Sequence, residues 1–389
     1  MNADRKIDIE IFNAALAIES ASERERYLDK TCGADPERRH RIEALLEAYA
    51  NSDSLFDADA QTHYAKSSEV KPLSEGPGAK IGPYKLLQEI GEGGMGVVYM
   101  AQQEEPIQRK VALKIIKVGI DTRQVVARFE VERQALAMMD HPNIAKVFDG
   151  GCTESGRPYF VMELVQGVPI TEFCDKNRLT TQERIQLLIP VCQAIQSAHQ
   201  KGIIHRDIKP SNVLVTLHHG EPLAMVIDFG VAKATNQKLT EKTLFTNFGM
   251  MIGTPAYMSP EQAQMSTMDV DTRTDVYSLG VLLYELLTGT TPLDQKQLLS
   301  EGYGEMQRVI AEEEPDKPSL RMSTLAADKK TAIAKNRSLK PPELLQILKG
   351  DLDCITMKCV EKDRRRRYDT PNELIADLKR HLNHEPVSA

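Results

Sequence analysis

The run Ile204-His205-Arg206-Asp207-Ile208-Lys209-Pro210-Ser211-Asn212 sets an acid, an amine and an amide close together between two apolar stretches. Asp207 can orient an attacking hydroxyl and accept its proton. Lys209 can neutralise charge on a phosphoryl group in transfer, and Asn212 offers an oxygen to a hard cation such as Mg2+. Asp228-Phe229-Gly230 follows the apolar LAMVI. Alone it reads as a turn at a strand end. Beside Asn212, Asp228 becomes the main carboxylate ligand for a cation bridging triphosphate oxygens.

Two further groups belong to the same chemistry. Gly91-Glu92-Gly93-Gly94-Met95-Gly96 precedes Val97-Val98-Tyr99 and a second β-type run that ends at Lys114. That context is a hairpin, whose glycines let backbone N–H groups lie over phosphates; an ordinary Gly-rich turn is the alternative. A dinucleotide-binding loop would have to open a helix. No helical pattern follows Gly96, and no acid ends a second parallel strand, so an NAD(P)-dependent oxidoreductase is set aside. Lys114 closes Val111-Ala112-Leu113 and can grip phosphates if an anion fixes its direction. Glu132, on the helical run RFEVERQAL, is placed in sequence to do so. A surface lysine is the alternative.

The elements around these groups fall into blocks. YKLLQEI, GVVYMAQ, KVALKII, IAKVFDGG and PYFVMEL read as short strands. From about Thr171 helices dominate: RIQLLIPVCQAIQSAHQ, TDVYSLGVLLYELLTG and NELIADLKRHL. Ahead of them, residues 1–50 read as a helical segment. Ile9, Phe12 and Leu16 share one stripe, Ser22 with Glu25 forms a capping box, and Asp35-Pro36 starts a third helix bearing Ile42, Leu45, Leu46 and Tyr49. Residues 51–81 read as a linker, rich in Ser, Asp, Ala, Gly and Pro.

Composition narrows the class. The 389 residues are 41% hydrophobic and 27% charged, which suits a globular protein with a large core. The net charge of −7 argues against a nucleic-acid binder, because phosphate contacts want a basic face. No run of about 18 apolar residues marks a membrane span, and the N-terminus lacks the pattern of a signal peptide. The six scattered cysteines read as reduced thiols of a cytoplasmic protein. Cys354 and Cys359, with His381 and His384, do not have a usual zinc spacing.

The order of these motifs resembles the protein-kinase superfamily, over roughly Tyr84 to Leu382. More narrowly, it is similar to bacterial eukaryotic-like (Hanks-type) Ser/Thr protein kinases. The resemblance implies an α+β, two-lobed protein-kinase fold over 82–384. Residues 82–165 would form a five-stranded antiparallel lobe with one helix, and 166–384 a mainly helical lobe, with ATP between them. Residues 1–50 would add a short N-terminal helical segment. The implied reaction transfers the γ-phosphoryl of Mg·ATP to Ser or Thr hydroxyls of proteins, the chain itself included.

The resemblance also assigns roles. Gly91, Gly93 and Gly96 would cover the phosphates. Lys114 would hold them and pair with Glu132. Met162 would be the gatekeeper, with Glu163, Leu164 and Val165 as the hinge, and Val98, Ala112 and Leu214 would sandwich adenine. Asp207 and Lys209 would be the catalytic-loop acid and amine, with Asn212 and Asp228 on Mg2+. Leu136, Val147, His205 and Phe229 would stack as a spine joining the lobes. Glu261, in a Ser259-Pro260-Glu261 that departs from the usual Ala-Pro-Glu, would pair with Arg367, and Asp275 would brace the catalytic loop from below. Lys209 and Gly253-Thr254-Pro255-Ala256-Tyr257 resemble the Ser/Thr type, with Thr254 bonded to Asp207 or Lys209. Arg206 would await a phosphate on the activation segment, with Thr246, then Thr243, as the autophosphorylation candidates.

Further expectations are coarser. The N-terminal helices are expected to act as a regulatory or dimerising module, with a passive cap as the alternative, so a homodimer stays open. Arg364 to Arg367 are expected to form a solvated turn edge with one structural arginine, rather than a polyanion patch. Residues 300–355 resemble an extended segment suited to docking or to plain packing. Related kinases often continue into a membrane segment, so a longer, membrane-tethered form is open too. A non-catalytic nucleotide-binding scaffold is the rival from another class; the complete set of catalytic residues weighs against it.

Overall fold

Strand alternation decides which face Lys114 occupies. Val111, Leu113 and Ile115 are buried in one cluster with Ile81, Tyr84, Leu86, Tyr99, Ala101, Tyr159 and Val161. Successive side chains of a strand point to opposite faces, so Ala112 and Lys114 must lie on the other side. The partner strand repeats the pattern. Ala112 is in register with Met162 and Lys114 with Phe160. Phe160 and Met162 pack on the second, larger core cluster. A slip of one residue would bury Lys114 in the small-lobe core, so the apolar pattern itself fixes the register.

The computed structural model describes residues 21–32, 39, 75–93, 96–116, 139–229, 255–264, 270–300 and 302–389. The chain divides into two units, Met1–Pro72 and Leu73–Ala389. In the first, helix α1 (Ala21–Cys32) buries Leu28 and Cys32, four residues apart on one face. It already includes Ala21 and Ser22, so Ser22 lies within the helix rather than ahead of it. The other two expected helices lie outside the described residues.

In the second unit, β1 (Lys80–Ile81), β2 (Tyr84–Gly93), β3 (Gly96–Gln103), β4 (Arg109–Ile116), β5 (Val147–Cys152) and β6 (Pro158–Glu163) form one antiparallel sheet, in the order β1-β2-β3-β4-β6-β5. The sheet has six strands rather than five. The reason is Gly82-Pro83, which turns the chain as a two-residue hairpin loop with Gly82 at φ 53°. The preceding Lys80 and Ile81 therefore pair back onto the sheet. Glu75 is fixed as well. Its buried carboxylate pairs with Arg157 and accepts a 2.8 Å bond from Ser155, and its carbonyl accepts one from the Tyr99 hydroxyl. The unit thus begins well before residue 82. It also runs past 384: Val387 packs on the larger core and Ser388 bonds Asp377 through its amide at 2.9 Å.

The large lobe holds α2 (Ile170–Lys176), α3 (Thr181–Gln200), α4 (Pro260–Ala263), α5 (Arg273–Thr288), α6 (Gln295–Ser300), α7 (Tyr303–Glu312), α8 (Pro318–Thr324), α9 (Ala327–Lys335), α10 (Pro341–Leu348), α11 (Asp351–Cys359) and α12 (Pro371–Leu382). A small sheet, β7 (Val168–Pro169), β8 (Val213–His218) and β9 (Glu221–Val226), lies beside them. The Thr180–Glu183 capping box starts α3. His219 (φ 53°) and Gly220 (φ 89°) turn the β8–β9 hairpin, the positive angles that such a two-residue loop favours.

Helix α5 is the centre of the lobe. Fourteen of its 16 residues are buried, so it is wrapped on all sides rather than amphipathic. Several of its polar side chains hold neighbouring segments. Thr274 donates to Glu261, Ser278 to the Tyr257 carbonyl at 2.9 Å and Tyr284 to the Asp316 carbonyl at 3.0 Å. Gly280 lets α11 approach closely. A Cβ there would run into the Cβ of Cys359 and sit 3.1 Å from Val360 Cγ1. Gly280→Ala is therefore expected to cost about 1–3 kcal/mol through overpacking. The check is a lower urea midpoint at unchanged slope; a wild-type midpoint would contradict it.

The segment expected to dock or pack is built into the lobe. Met306, Val309, Ile310, Met322, Ala334, Leu344 and Leu348 join the larger core. Arg337, 1% exposed, donates to the Ile333 and Leu286 carbonyls at 2.9 and 2.8 Å, and so ties α9 to the end of α5. Burial pushes its guanidinium down to about 9.

Candidate active site

Lys114 and Asp228 meet although 114 residues separate them. The Lys114 ammonium bonds both carboxylate oxygens, at 2.6 Å to Oδ2. Lys114 comes from the inner face of β4 and Asp228 from just beyond β9. Asp228 has φ 58°, left-handed backbone that Asp tolerates better than most residues. Glu132, the expected partner of Lys114, lies outside the described residues, as do Leu136, Gly230, Thr243, Thr246 and Thr254.

The loop from His205 to Asn212 is held from below. Asp275, fully buried on α5, accepts from the His205 and Arg206 amides at 2.8 Å each and contacts His199 Nε2 at 2.7 Å. Asn212 then turns back. Its amide nitrogen donates to the Asp207 carbonyl at 2.8 Å and to Asp207 Oδ2 at 2.9 Å. Lys209 Nζ stands 2.8 Å from the same oxygen. One carboxylate thus receives an ammonium and an amide, which fixes its direction.

His205 links the loop to the end of β9. Burial holds its imidazole below the ordinary value, although Asp275 and Asp207 act in the opposite direction. A neutral ring has one donor and one acceptor. Nε2 lies 3.2 Å from the Ile227 carbonyl, and Nδ1 accepts from the Asp207 amide at 3.3 Å. The ring packs on Phe229 with centroids 4.5 Å apart, and half-buried Val147 packs on the same core.

Of the three loop glycines, Gly96 is required by the fold: a Cβ there would meet the carbonyl oxygen of Ile115 across the β3–β4 ladder. At Gly91 and Gly93 a Cβ would meet nothing within 4 Å. Packing among the described residues therefore does not demand glycine at those two positions, and an approaching ligand is a physical reason that remains. They face Val98 and Gly96 across the β2–β3 hairpin, so the loop joins two strands and opens no helix. Val98 and Ala112 lie on β3 and β4, Met162 and Glu163 end β6, and Val165 leads on to β7. Leu214 stands opposite Pro169 on β8.

Glu261 and Arg367 pair inside the large lobe, at 2.7 and 2.9 Å. The other arginines of the run differ from Arg367. Arg364 to Arg366 form a short turn with no buried residue, and Arg365 pairs with Asp363 at 2.8 Å. Sequence reasoning passed over two contacts, the direct Lys114–Asp228 bond and the side chain of Gln262. The second had a readable signal, since Ser259-x-x-Gln262 is a capping-box pattern.

Residues 84–378 match the protein kinase domain, and the chain belongs to that family. It is 34% identical over 273 residues to serine/threonine-protein kinase Pkn1 of Myxococcus xanthus, covering 69% of this chain and 38% of that protein. It is 34% identical over 311 residues to serine/threonine-protein kinase PknB of Mycobacterium tuberculosis, covering 79% and 44%. The chain thus spans about two-fifths of the length of these curated relatives. Among solved structures, the Mycobacterium tuberculosis PknI kinase domain shares the fold at TM-score 0.54 and 22% identity, over 79% of this chain and 99% of that one. The two-lobed architecture is therefore that of a protein kinase.

Proposed function

We propose that the chain is a protein serine/threonine kinase that transfers the γ-phosphoryl group of Mg·ATP to Ser or Thr hydroxyls of proteins, itself included. The observation that carries this reading is the convergence of Lys114 with Asp228, and of Lys209 and Asn212 on Asp207. Both named relatives are serine/threonine-protein kinases, which supports it.

Asp207 orients the attacking hydroxyl and takes its proton as the new P–O bond forms and the bond from the γ-phosphorus to the ADP oxygen breaks. Lys209 neutralises charge on the phosphoryl group in flight, and Lys114 holds the phosphates behind it. The transition state is loose, so positioning and charge neutralisation supply most of the acceleration. Asp228 offers a carboxylate. The Asn212 amide nitrogen is taken up by Asp207, which leaves its carbonyl oxygen to ligate. These hard oxygen donors of Asp228 and Asn212 would suit Mg2+, which would supply positive charge against the phosphates. Val98, Ala112 and Leu214 would flank adenine, beside Met162 and the hinge.

Autophosphorylation at Thr246 or Thr243, read out by Arg206, is the proposed regulation. Among the described residues no helix is long and apolar enough to cross a membrane. A cytoplasmic location and a homodimer remain parts of the proposal. Phosphosite mapping after incubation with Mg·ATP tests it. Phosphoserine or phosphothreonine, with phosphate on Thr246 or Thr243, is the expected result. Phosphotyrosine alone would contradict the acceptor class, and the absence of any transfer would contradict the activity.

A further inference from the structure

The backbone at Arg206 is strained. Its φ of 63° puts a long, non-glycine side chain in the left-handed region, immediately before Asp207. Such a conformation is costly and persists where surrounding groups over-determine it. Two groups do so here. Asp275 Oδ1 takes the Arg206 amide from below. On the other side, Gln262 Nε2 donates to the Arg206 carbonyl at 2.9 Å. That carbonyl belongs to the peptide that leads into Asp207.

The Gln262 amide is itself oriented. Ser259, fully buried, caps α4, and its amide donates to Gln262 Oε1 at 3.1 Å, while its hydroxyl accepts from the Gln262 amide at 3.4 Å. With the oxygen spent on Ser259, the NH2 group is left for Arg206. A serine at 259, where most kinases have alanine, thereby completes the reciprocal cap. The turn Pro255–Tyr257 runs directly into this cap.

We propose that Gln262 is a positioning residue: with Ser259 it locks the Arg206–Asp207 peptide, and so couples the segment that would receive the substrate to the direction of the Asp207 carboxylate. This rests on the kinase reading of the site. The amide touches no reacting atom and acts only through the backbone of Arg206.

The test uses the full chain with Mg·ATP and casein as acceptor. Gln262→Leu removes both bonds and is expected to lower kcat roughly 10- to 100-fold, the scale of a small misplacement of a catalytic group. KM for ATP should stay within about threefold, and the urea midpoint should stay near wild type. Gln262→Glu keeps an acceptor for Ser259 but loses the donor at neutral pH. Protonation gives that donor back, so the ratio of Q262E to wild-type kcat should rise as pH falls from about 8 to 6. A Q262L kcat within about threefold of wild type overturns the proposal. So does a loss tracked by an equal fall in the unfolding midpoint, or a flat Q262E ratio. A wild-type chain that binds Mg·ATP but transfers nothing overturns the kinase reading and the proposal with it. A wild-type chain that transfers, with Q262L as its equal, overturns the proposal alone.

Discussion

Asp228→Asn is expected to lower phosphoryl transfer about a thousandfold, roughly 4 kcal/mol in the barrier. The substitution keeps shape and exchanges a carboxylate for an amide. The site would then lose its main anionic ligand for a divalent cation, and Lys114 would lose the partner that bonds it through both oxygens. The remaining donor for the cation, Asn212, is neutral. Higher Mg2+ concentrations should recover part of the rate, because the defect is one of holding the ion. Asp228 is partly exposed and lies outside the apolar cores, so the unfolding midpoint should stay close to wild type. A kcat within about tenfold of wild type at ordinary Mg2+ would contradict this role.

Arg367→Ala is expected to cost about 3–5 kcal/mol of stability, the scale for leaving a buried charge without its partner. That is a large share of the roughly 5–15 kcal/mol available to a typical domain. Arg367 donates to both Glu261 oxygens and to the carbonyls of Glu361, Lys362 and Arg273. Its guanidinium lies 5.0 Å from the centroid of the Tyr277 ring. Without it, the Glu261 carboxylate keeps Thr274, at 2.7 Å, as its side-chain donor.

The pH dependence follows from Glu261. Burial alone would push its carboxyl up, but Arg367 and Thr274 more than reverse this and hold it below its ordinary 4.5. A depressed carboxyl contributes stability that is present above the unfolded value and is lost as pH falls through the folded one. In Arg367→Ala burial is opposed far less, the carboxyl rises, and protonating it relieves the variant. Urea unfolding should therefore show the gap between variant and wild type narrowing from pH 7 toward pH 4. A gap that is constant or widens would contradict the assignment.

How much of this was legible depends on the kind of constraint. The inner face of β4 was readable because period-two alternation leaves Lys114 no other side once Leu113 and Ile115 are buried. The clustering of Lys209 and Asn212 on Asp207 was readable because the motif is local. The extra strand Lys80–Ile81 was not, since two residues carry no pattern and only the Gly82-Pro83 turn announces them. Glu75 was equally silent: a single acid in a Ser- and Pro-rich stretch gives no hint of the arginine that receives it. The Ser22 capping box was not met, because Ser22 already lies within α1. Asp275 was placed beneath the loop by the resemblance, and it does bond the His205 and Arg206 amides. The capping-box pattern of Gln262 is local, but its bond to the Arg206 carbonyl, 56 residues away, is a meeting that spacing along the chain does not encode.

The lobe reads as a frame for one loop. Helix α5 is apolar apart from a few groups, and those groups reach the loop from His205 to Asn212, the turn Pro255–Tyr257 and the Glu261–Arg367 pair. Burying them in the centre makes loop geometry depend on a helix that is buried on nearly all sides.

The most direct test of that account is transfer of labelled γ-phosphate from Mg·ATP by the wild-type chain and by Asp207→Asn, with ATP binding measured alongside. The account predicts that both bind ATP, that the wild type labels Ser or Thr, and that the variant loses transfer by a thousandfold or more (about 4 kcal/mol). Equal labelling by the two, or no labelling by a wild type that binds ATP, would contradict it.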